Sequence, residues 1–145
     1  MFRGQYEHTI DAKGRVSLPA KFREIIAARG SDRLVVTADV EPCLLAFALD
    51  EWQAFEQKLA ALPSMDRRVR MVKRTLVGQA HELTVDGNGR ILLPPPLREH
   101  AGLGREVVFT GQIDRIEIWS RDGWSHARED VDMGALTDAL EGLGI

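Results

Sequence analysis

Two short stretches of the chain alternate their side chains with a period of two. One carries Tyr6, His8 and Ile10 on a single face, and the other carries His81, Leu83 and Val85. This is the spacing of a half-buried strand. Each stretch runs into the same tight loop, Asp-x-x-Gly-Arg, at residues 11–15 and 86–90. Gly14 and Gly89 can take a positive φ cheaply, so the turns are expected to close there. A second strand follows in each case, over residues 15–18 and 90–93. Pro19 and Pro94 then end the strand and open a short helix, since proline is tolerated at a first helical position. Phe22, Ile25 and Ile26 have the i, i+3, i+4 spacing of an amphipathic helix, with Gly30 as its stop; Gly102 takes that part in the second copy. Further strands are expected over 33–38 and 43–48, and over 106–110 and 115–119.

The likeness of these stretches is an internal repeat. Residues 7–24 align with 82–99 at an offset of 75, with nine of 18 positions identical, and Ile10/Val85, Val16/Ile91 and Phe22/Leu97 are apolar in both. Further on the offset shrinks to 72, which places Val35, Val36 and Thr37 against Val107, Val108 and Phe109, and Trp52 against Trp124. The chain therefore reads as a first unit with its following helix (1–62), a basic connector helix (63–76), a second unit (77–128) and an acidic tail (129–145). In the first of these Asp50 is the expected N-cap of a helix whose face is Trp52, Phe55, Leu59 and Leu62. Pro63 breaks that helix and Ser64 is placed to cap the connector, whose apolar face is Met65, Val69, Val72 and Leu76. In the tail Leu136, Leu140 and Leu143 have helical spacing, which leaves a small acidic helix and a frayed end as alternatives. A unit of 45–60 residues buries too little surface to be comfortable alone. The expected fold is mainly β with short helices, its two repeats interleaved into one barrel with approximate two-fold symmetry.

Composition narrows the function. The chain has 145 residues, 44% hydrophobic and 28% charged, which is globular. No apolar run approaches a membrane span, and the N-terminus lacks the apolar segment of a signal peptide. Trp52, Trp119 and Trp124 are expected as core anchors. Cys43, the single cysteine, lies in an apolar run and reads as a small buried residue; a chain without an internal disulfide fits the cytoplasm. The net charge of −3 is unevenly spread: residues 1–36 carry seven Lys/Arg against four Asp/Glu, residues 63–80 five against one, and the tail holds five acids and no base. Binding follows the local field rather than the total.

The residue types exclude the common catalytic sites. His8, His81, His100 and His126 make no HxxH pair, one cysteine makes no zinc knuckle, and neither a phosphate loop nor a G-x-S-x-G elbow is present. Asp11 and Asp86 could pair across the dyad, but the arginine in each turn keeps them ionised and unfit as general acids. No enzyme activity, cofactor, metal site or small-molecule ligand is expected.

The segment from Met1 to Arg23, with Asp11, Gly14, Arg15 and Pro19 in place, resembles the start of the MraZ family. The second Asp-x-x-Gly-Arg with Leu93 and Pro94, and Ile116 to Trp119, match that pattern too. The resemblance covers almost the whole chain. It implies a bacterial transcription regulator with a swapped-hairpin fold like that of AbrB and of MazE-type antitoxin DNA-binding domains, the two repeats of one chain interleaving. It implies a nucleoid-associated protein that forms closed rings and binds tandem short G-rich repeats in double-stranded DNA. The regulated cluster would be the division and cell-wall genes, its own included, with repression the usual effect. An antitoxin-like or structural ring protein that binds another protein is the alternative.

Arg15 and Arg90, at the exits of the two loops, are the candidate base readers, since arginine meets O6 and N7 of guanine bidentately. The competing reading is an ion pair with Asp11 or Asp86 that locks the turn; both hold together if the aspartate positions the arginine. Asp11, Gly14, Asp86 and Gly89 are assigned to loop structure. Lys13 and Arg3 are assigned to phosphates, and Lys21 and Arg23 are solvated or DNA-facing charges on the short helix. Their counterparts are Asn88 for Lys13, Gly78 for Arg3 and Pro96 for Lys21, so the first loop region is expected to be the more basic and to dominate the contact. The proline run 94–96 is expected to shorten the second helix. The basic run Arg67, Arg68, Arg70, Lys73 and Arg74 is either a second track for the DNA backbone or, as the acidic segments favour, a set of charges that solvate the outer face of an amphipathic helix or pair with acidic groups of a neighbouring subunit.

Overall fold

The two copies of the repeat exchange strands. In the computed structural model, which describes residues 1–145, the first copy supplies β1 (Gln5–Thr9), β2 (Arg15–Ser17), α1 (Ala20–Ala28), β3 (Arg33–Ala38), β4 (Leu44–Ala48) and α2 (Leu49–Ala60). A connector, α3 (Arg67–Val72), continues into one wider π turn over Lys73–Val77. The second copy supplies β5 (His81–Thr84), β6 (Arg90–Leu92), α4 (Pro95–His100), β7 (Glu106–Gly111), β8 (Ile116–Ser120) and α5 (Arg121–Glu129), and α6 (Met133–Gly142) follows. Neighbours in the six-stranded antiparallel sheet run β1-β7-β8-β4-β3-β5, and β2 pairs with β6 in a separate ribbon. Exchanging the two copies and reversing this order reproduces it. The order is thus a pseudo-two-fold arrangement in which each copy's first strand lies on the other copy's third.

The register fixes the axis. Val16 faces Ile91 at the centre of the ribbon, and Leu45 faces Glu117 at the centre of the β4–β8 pair. The sheet does not close by its own hydrogen bonds. Its two edge strands, β1 and β5, are instead continued by the β2–β6 ribbon, with an Ile10–Val16 bridge tying β1 to β2. Inside lies one cluster of 20 buried apolar residues drawn from both copies, Phe2, Phe22, Leu34, Leu93, Leu97 and Phe109 among them. The ring of Phe22 meets those of Phe2 and Tyr6 edge to face at 5.5 and 5.2 Å. Two smaller clusters cover the outside of the sheet. Trp52 and Phe55 of α2 sit on Val35, Leu45 and Phe47, while Trp119 and Trp124 sit with Val108 and the buried Cys43. Because helices cover this outer face, β4 is buried at every position, and its sequence reads as a continuous apolar run rather than an alternation.

Several expectations from the sequence are corrected. The offset of 72 holds for β4 and β8 but not for β3 and β7, where Leu34 pairs with Ala48 as Val107 pairs with Ser120. Leu34 and Val107 are therefore equivalent, an offset of 73. Both point into the barrel, while Val35 and Val108 both lie under tryptophans on the outside. Aligning Val35 with Val107 exchanged the two faces, which is what a one-residue slip does in a strand. The missing residue lies in the turn between β7 and β8. Asp50 is inside the first turn of α2, whose N-cap is Ala48, and its carboxylate accepts from Arg29 at 3.1 Å. Asp66, not Ser64, caps α3, its side chain accepting from the amide of Arg68. Leu62 and Met65 lie outside either helix and are exposed. The prolines do shorten α4, to six residues against nine in α1.

Phe22→Ala should cost about 3–5 kcal/mol, the range for emptying a filled aromatic site, because Phe22 is wholly buried among side chains of both copies. Urea unfolding followed by tryptophan fluorescence measures it, and a single cooperative transition is expected because neither copy has a core of its own.

Candidate nucleic-acid interface

The two Asp-x-x-Gly-Arg loops are built alike. The amide of Gly14 donates to the carbonyl of Asp11 at 3.0 Å, and the amide of Asp11 donates to the carbonyl of Arg15 at 2.9 Å. The Asp11 carboxylate accepts from the amides of Lys13 and Arg15, each at 2.9 Å. Asp86 accepts from the amides of Asn88 and Arg90 at 2.8 and 3.0 Å. Asparagine or aspartate folding its own turn in this way is a local competitor of regular structure. The amides of Arg15 and Arg90 hold the two carboxyls below the usual carboxylate range, those of Lys13 and Asn88 adding to the effect. Gly14 and Gly89 have φ of 91° and 73°, the left-handed region that an L side chain avoids.

The glycines do more than turn the chain. Each loop is clasped by the other copy. The amide of Leu18 donates to the carbonyl of Gly89 and that of Leu93 to the carbonyl of Gly14, both at 2.9 Å. Arg23 of α1 lies across Gly89 so closely that a Cβ there would collide with its guanidinium, and Arg98 of α4 lies across Gly14 in the same way. Arg98 Nε also donates to the carbonyl of Leu93 at 3.0 Å. Arg98 was not singled out from the sequence, although its alignment with Arg23 in the repeat was the available signal.

Arg15 and Arg90 lie on the outward face of the β2–β6 ribbon. Val16 and Ile91 point into the core, so the cross-strand pairs Arg15–Leu92 and Ser17–Arg90 point out. Arg15 Nε contacts Asp11 Oδ2 at 2.7 Å, with both side chains 38% exposed. Arg90 Nε stands 3.6 Å from Asp86 Oδ2 and has no hydrogen-bond partner. In both, the guanidinium nitrogen nearest the aspartate is Nε, hydrogen-bonded in Arg15 and beyond hydrogen-bond distance in Arg90.

Lys13 is exposed at the tip of the first loop and Lys21 is exposed on α1, while Arg23 is half-buried beneath the second loop. Arg3 is elsewhere. It extends β1 at the end opposite the loop, beside the turn between β7 and β8, where Phe2 bridges Ile113; the five residues of β1 separate it from the loops by on the order of 15 Å. Beside each loop lies an open cleft. The first, about 550 Å³, is lined by Asp11, Arg98 and Arg105 with Leu103; the second, about 590 Å³, is lined by Arg23, Asp32 and Asp86. The two are related by the pseudo-dyad but opposite in charge balance. The first loop region is the more basic one, yet two of its arginines, Arg98 and Arg105, come from the second copy because of the strand exchange. No helix is long and apolar enough to cross a membrane.

Comparison with known proteins agrees with the repeat. The family described as "MraZ protein, putative antitoxin-like" matches residues 1–75 and again 76–139. The chain is 44% identical to the transcriptional regulator MraZ of Hydrogenovibrio crunogenus, over 98% of this chain and 95% of that one. It is 47% identical to the protein of the same name from a Marinomonas strain, over 99% and 93%.

Gly89→Ala should destabilise the fold by about 1–3 kcal/mol, the cost of a side chain in a disfavoured backbone region, with the clash against Arg23 added. Gly87→Ala, which meets open space at ordinary φ, should change stability by less than about 0.5 kcal/mol; thermal melts of both variants compare them. Asp11 and Asp86 have lowered folded values, so their contribution is complete above pH 3.8 and is lost as pH falls through those lowered values. Carboxyl chemical shifts followed by NMR should show both midpoints below 3.8.

Proposed function

This chain belongs to the MraZ family, and on that premise we propose that it is a transcriptional regulator that binds double-stranded DNA through the loop end of its barrel. The observation that carries this reading is the pair of arginines, Arg15 and Arg90, on the outward face of the β2–β6 ribbon. Arg15 is hydrogen-bonded to the aspartate of its own turn and Arg90 lies beside its counterpart, and the two are related by a pseudo-two-fold axis on one small ribbon. A positioned guanidinium edge suits guanine O6 and N7. Holding Arg15 by its Nε lowers the entropy lost when it binds.

Lys13, at the tip of the more basic loop, and Lys21 on α1 would neutralise phosphates on either side and fix the register. Arg90, with its looser ion pair, would take the second and weaker base contact. Arg23 would act through the second loop by holding Gly89 in place, matched by Arg98 on the first. Arg3 stands outside this face. The finer reading has several copies of the chain arranged in a ring, each presenting one such face to a short G-rich repeat. Avidity would then come from tandem sites, acting in the nucleoid to repress the division and cell-wall cluster that includes its own gene. The charge difference between the two clefts supports this lopsided use.

Arg15→Ala should weaken binding to a duplex from upstream of its own gene by about 5–150-fold, the worth of one bidentate base contact of about 1–3 kcal/mol. Binding to a scrambled duplex should change far less. Lys13→Ala should weaken both duplexes alike and reduce the slope of log affinity against log salt by about 1. Fluorescence anisotropy over a salt series measures all of these. Wild-type affinity in Arg15→Ala would remove Arg15 as the reader.

A further inference from the structure

We propose that α6 of one copy of the chain docks on the basic face of α3 of a second copy. The inference rests on the reading of the protein as an assembly of several subunits and names the contact that joins them. Met133, Leu136, Leu140 and Leu143 fall on one stripe of α6 at the three- and four-residue steps of a packed helix seam. Nothing in the chain covers it: every residue from Arg128 to Ile145 is exposed, Met133 by 70% and Leu143 by 73%. A helix of ten residues is marginal by itself and normally gains its stability from packing. Its other faces carry Asp138 and Glu141, and Asp130 and Asp132 precede it, with no lysine or arginine after Arg128. Pairing α6 with another α6 would set like charges together.

The complementary surface is on α3. Arg67, Arg68, Arg70 and Arg74 line a shallow groove of about 370 Å³ around Met71, which is 61% exposed. Arg68 is held by Asp66 at 2.8 Å, whereas Arg67, Arg70, Lys73 and Arg74 have no acidic partner within the chain. An apolar side chain among arginines suits an acidic amphipathic helix better than a phosphate chain. The location argues the same way. The π turn after α3 is anchored near the end of β3, where Thr37 Oγ1 donates to the carbonyl of Leu76 at 2.6 Å. From there β5 runs away from α3 toward the Asp86 loop, so the groove lies at the other end of the barrel from Arg15. DNA on the loop face leaves it free.

Sedimentation velocity of the full chain without DNA, at micromolar concentration, tests the contact. Wild type should sediment as an assembly. Arg70→Glu with Arg74→Glu should weaken assembly at least about tenfold, as should Asp138→Lys with Glu141→Lys. Combining the four should restore most of it, because the charges are then exchanged across the same contact. All four residues are on exposed helix surfaces, and unchanged thermal melts verify folding. A monomeric wild type would overturn the proposal together with the assembly it rests on. An assembled wild type whose mass neither reversal alters would overturn the docking alone, and would do so equally if α6 packs on α3 of its own chain. Loss of DNA binding in the α3 variant with its mass unchanged would make α3 a DNA track instead.

Discussion

The structure depends on a ribbon three residues long in each strand. β2 and β6 pair about Val16 and Ile91, and two backbone bonds cross from Leu18 to Gly89 and from Leu93 to Gly14. Without that pairing the six-stranded sheet has two bare edges, its 20-residue core opens on one side, and both arginine loops lose their footing. A strand this short has little stability in isolation. It holds because its inward residues are buried between the two copies and because each loop's glycine carries another copy's arginine. Fold and binding face are thus one construction. The turn that aims Arg15 is also a strut of the barrel, which explains why a residue as small as Gly14 bears on both.

Much of this was legible in the sequence. The identity between residues 7–24 and 82–99 exposed the duplication, the period-two stretches located β1 and β5, and the turn chemistry of Asp11, Gly14 and Arg15 described the loop before its geometry was known. What sequence could not give were quantities set by partners distant in the chain. The one-residue difference between β3 and β7 was invisible because Val35, Val36, Val107 and Val108 are all apolar. Only pairing with β4 and β8 shows which of them face inward, and a strand buried on both sides carries no alternation to read. Asp50 looked like a cap because caps are chosen from local type, yet Arg29 claims it from another element. Arg98 and Arg105 escaped notice because their neighbourhood at the first loop exists only through strand exchange.

Joining two copies in one chain has let them diverge. A symmetric dimer must place the same charges on both loops, whereas here Lys13 faces Asn88 across the dyad and Arg105 faces Asp32. The asymmetry extends outward. The connector between the copies is basic and the tail is acidic, and a molecule with two different surfaces of opposite sign can join others head to tail, which a two-fold symmetric dimer does not do.

The strand exchange also dictates an order of events in time. Gln5 is paired with Thr110, so β1 waits about five to twenty seconds, at ordinary rates of synthesis, for its partner to be made. Until then β1 has no partner, and the core that both copies share cannot close. Contacts this far apart in sequence make folding slow. For those seconds the nascent first halves on neighbouring ribosomes are mutually complementary, because the strand each lacks is nearly a repeat of the one it already has.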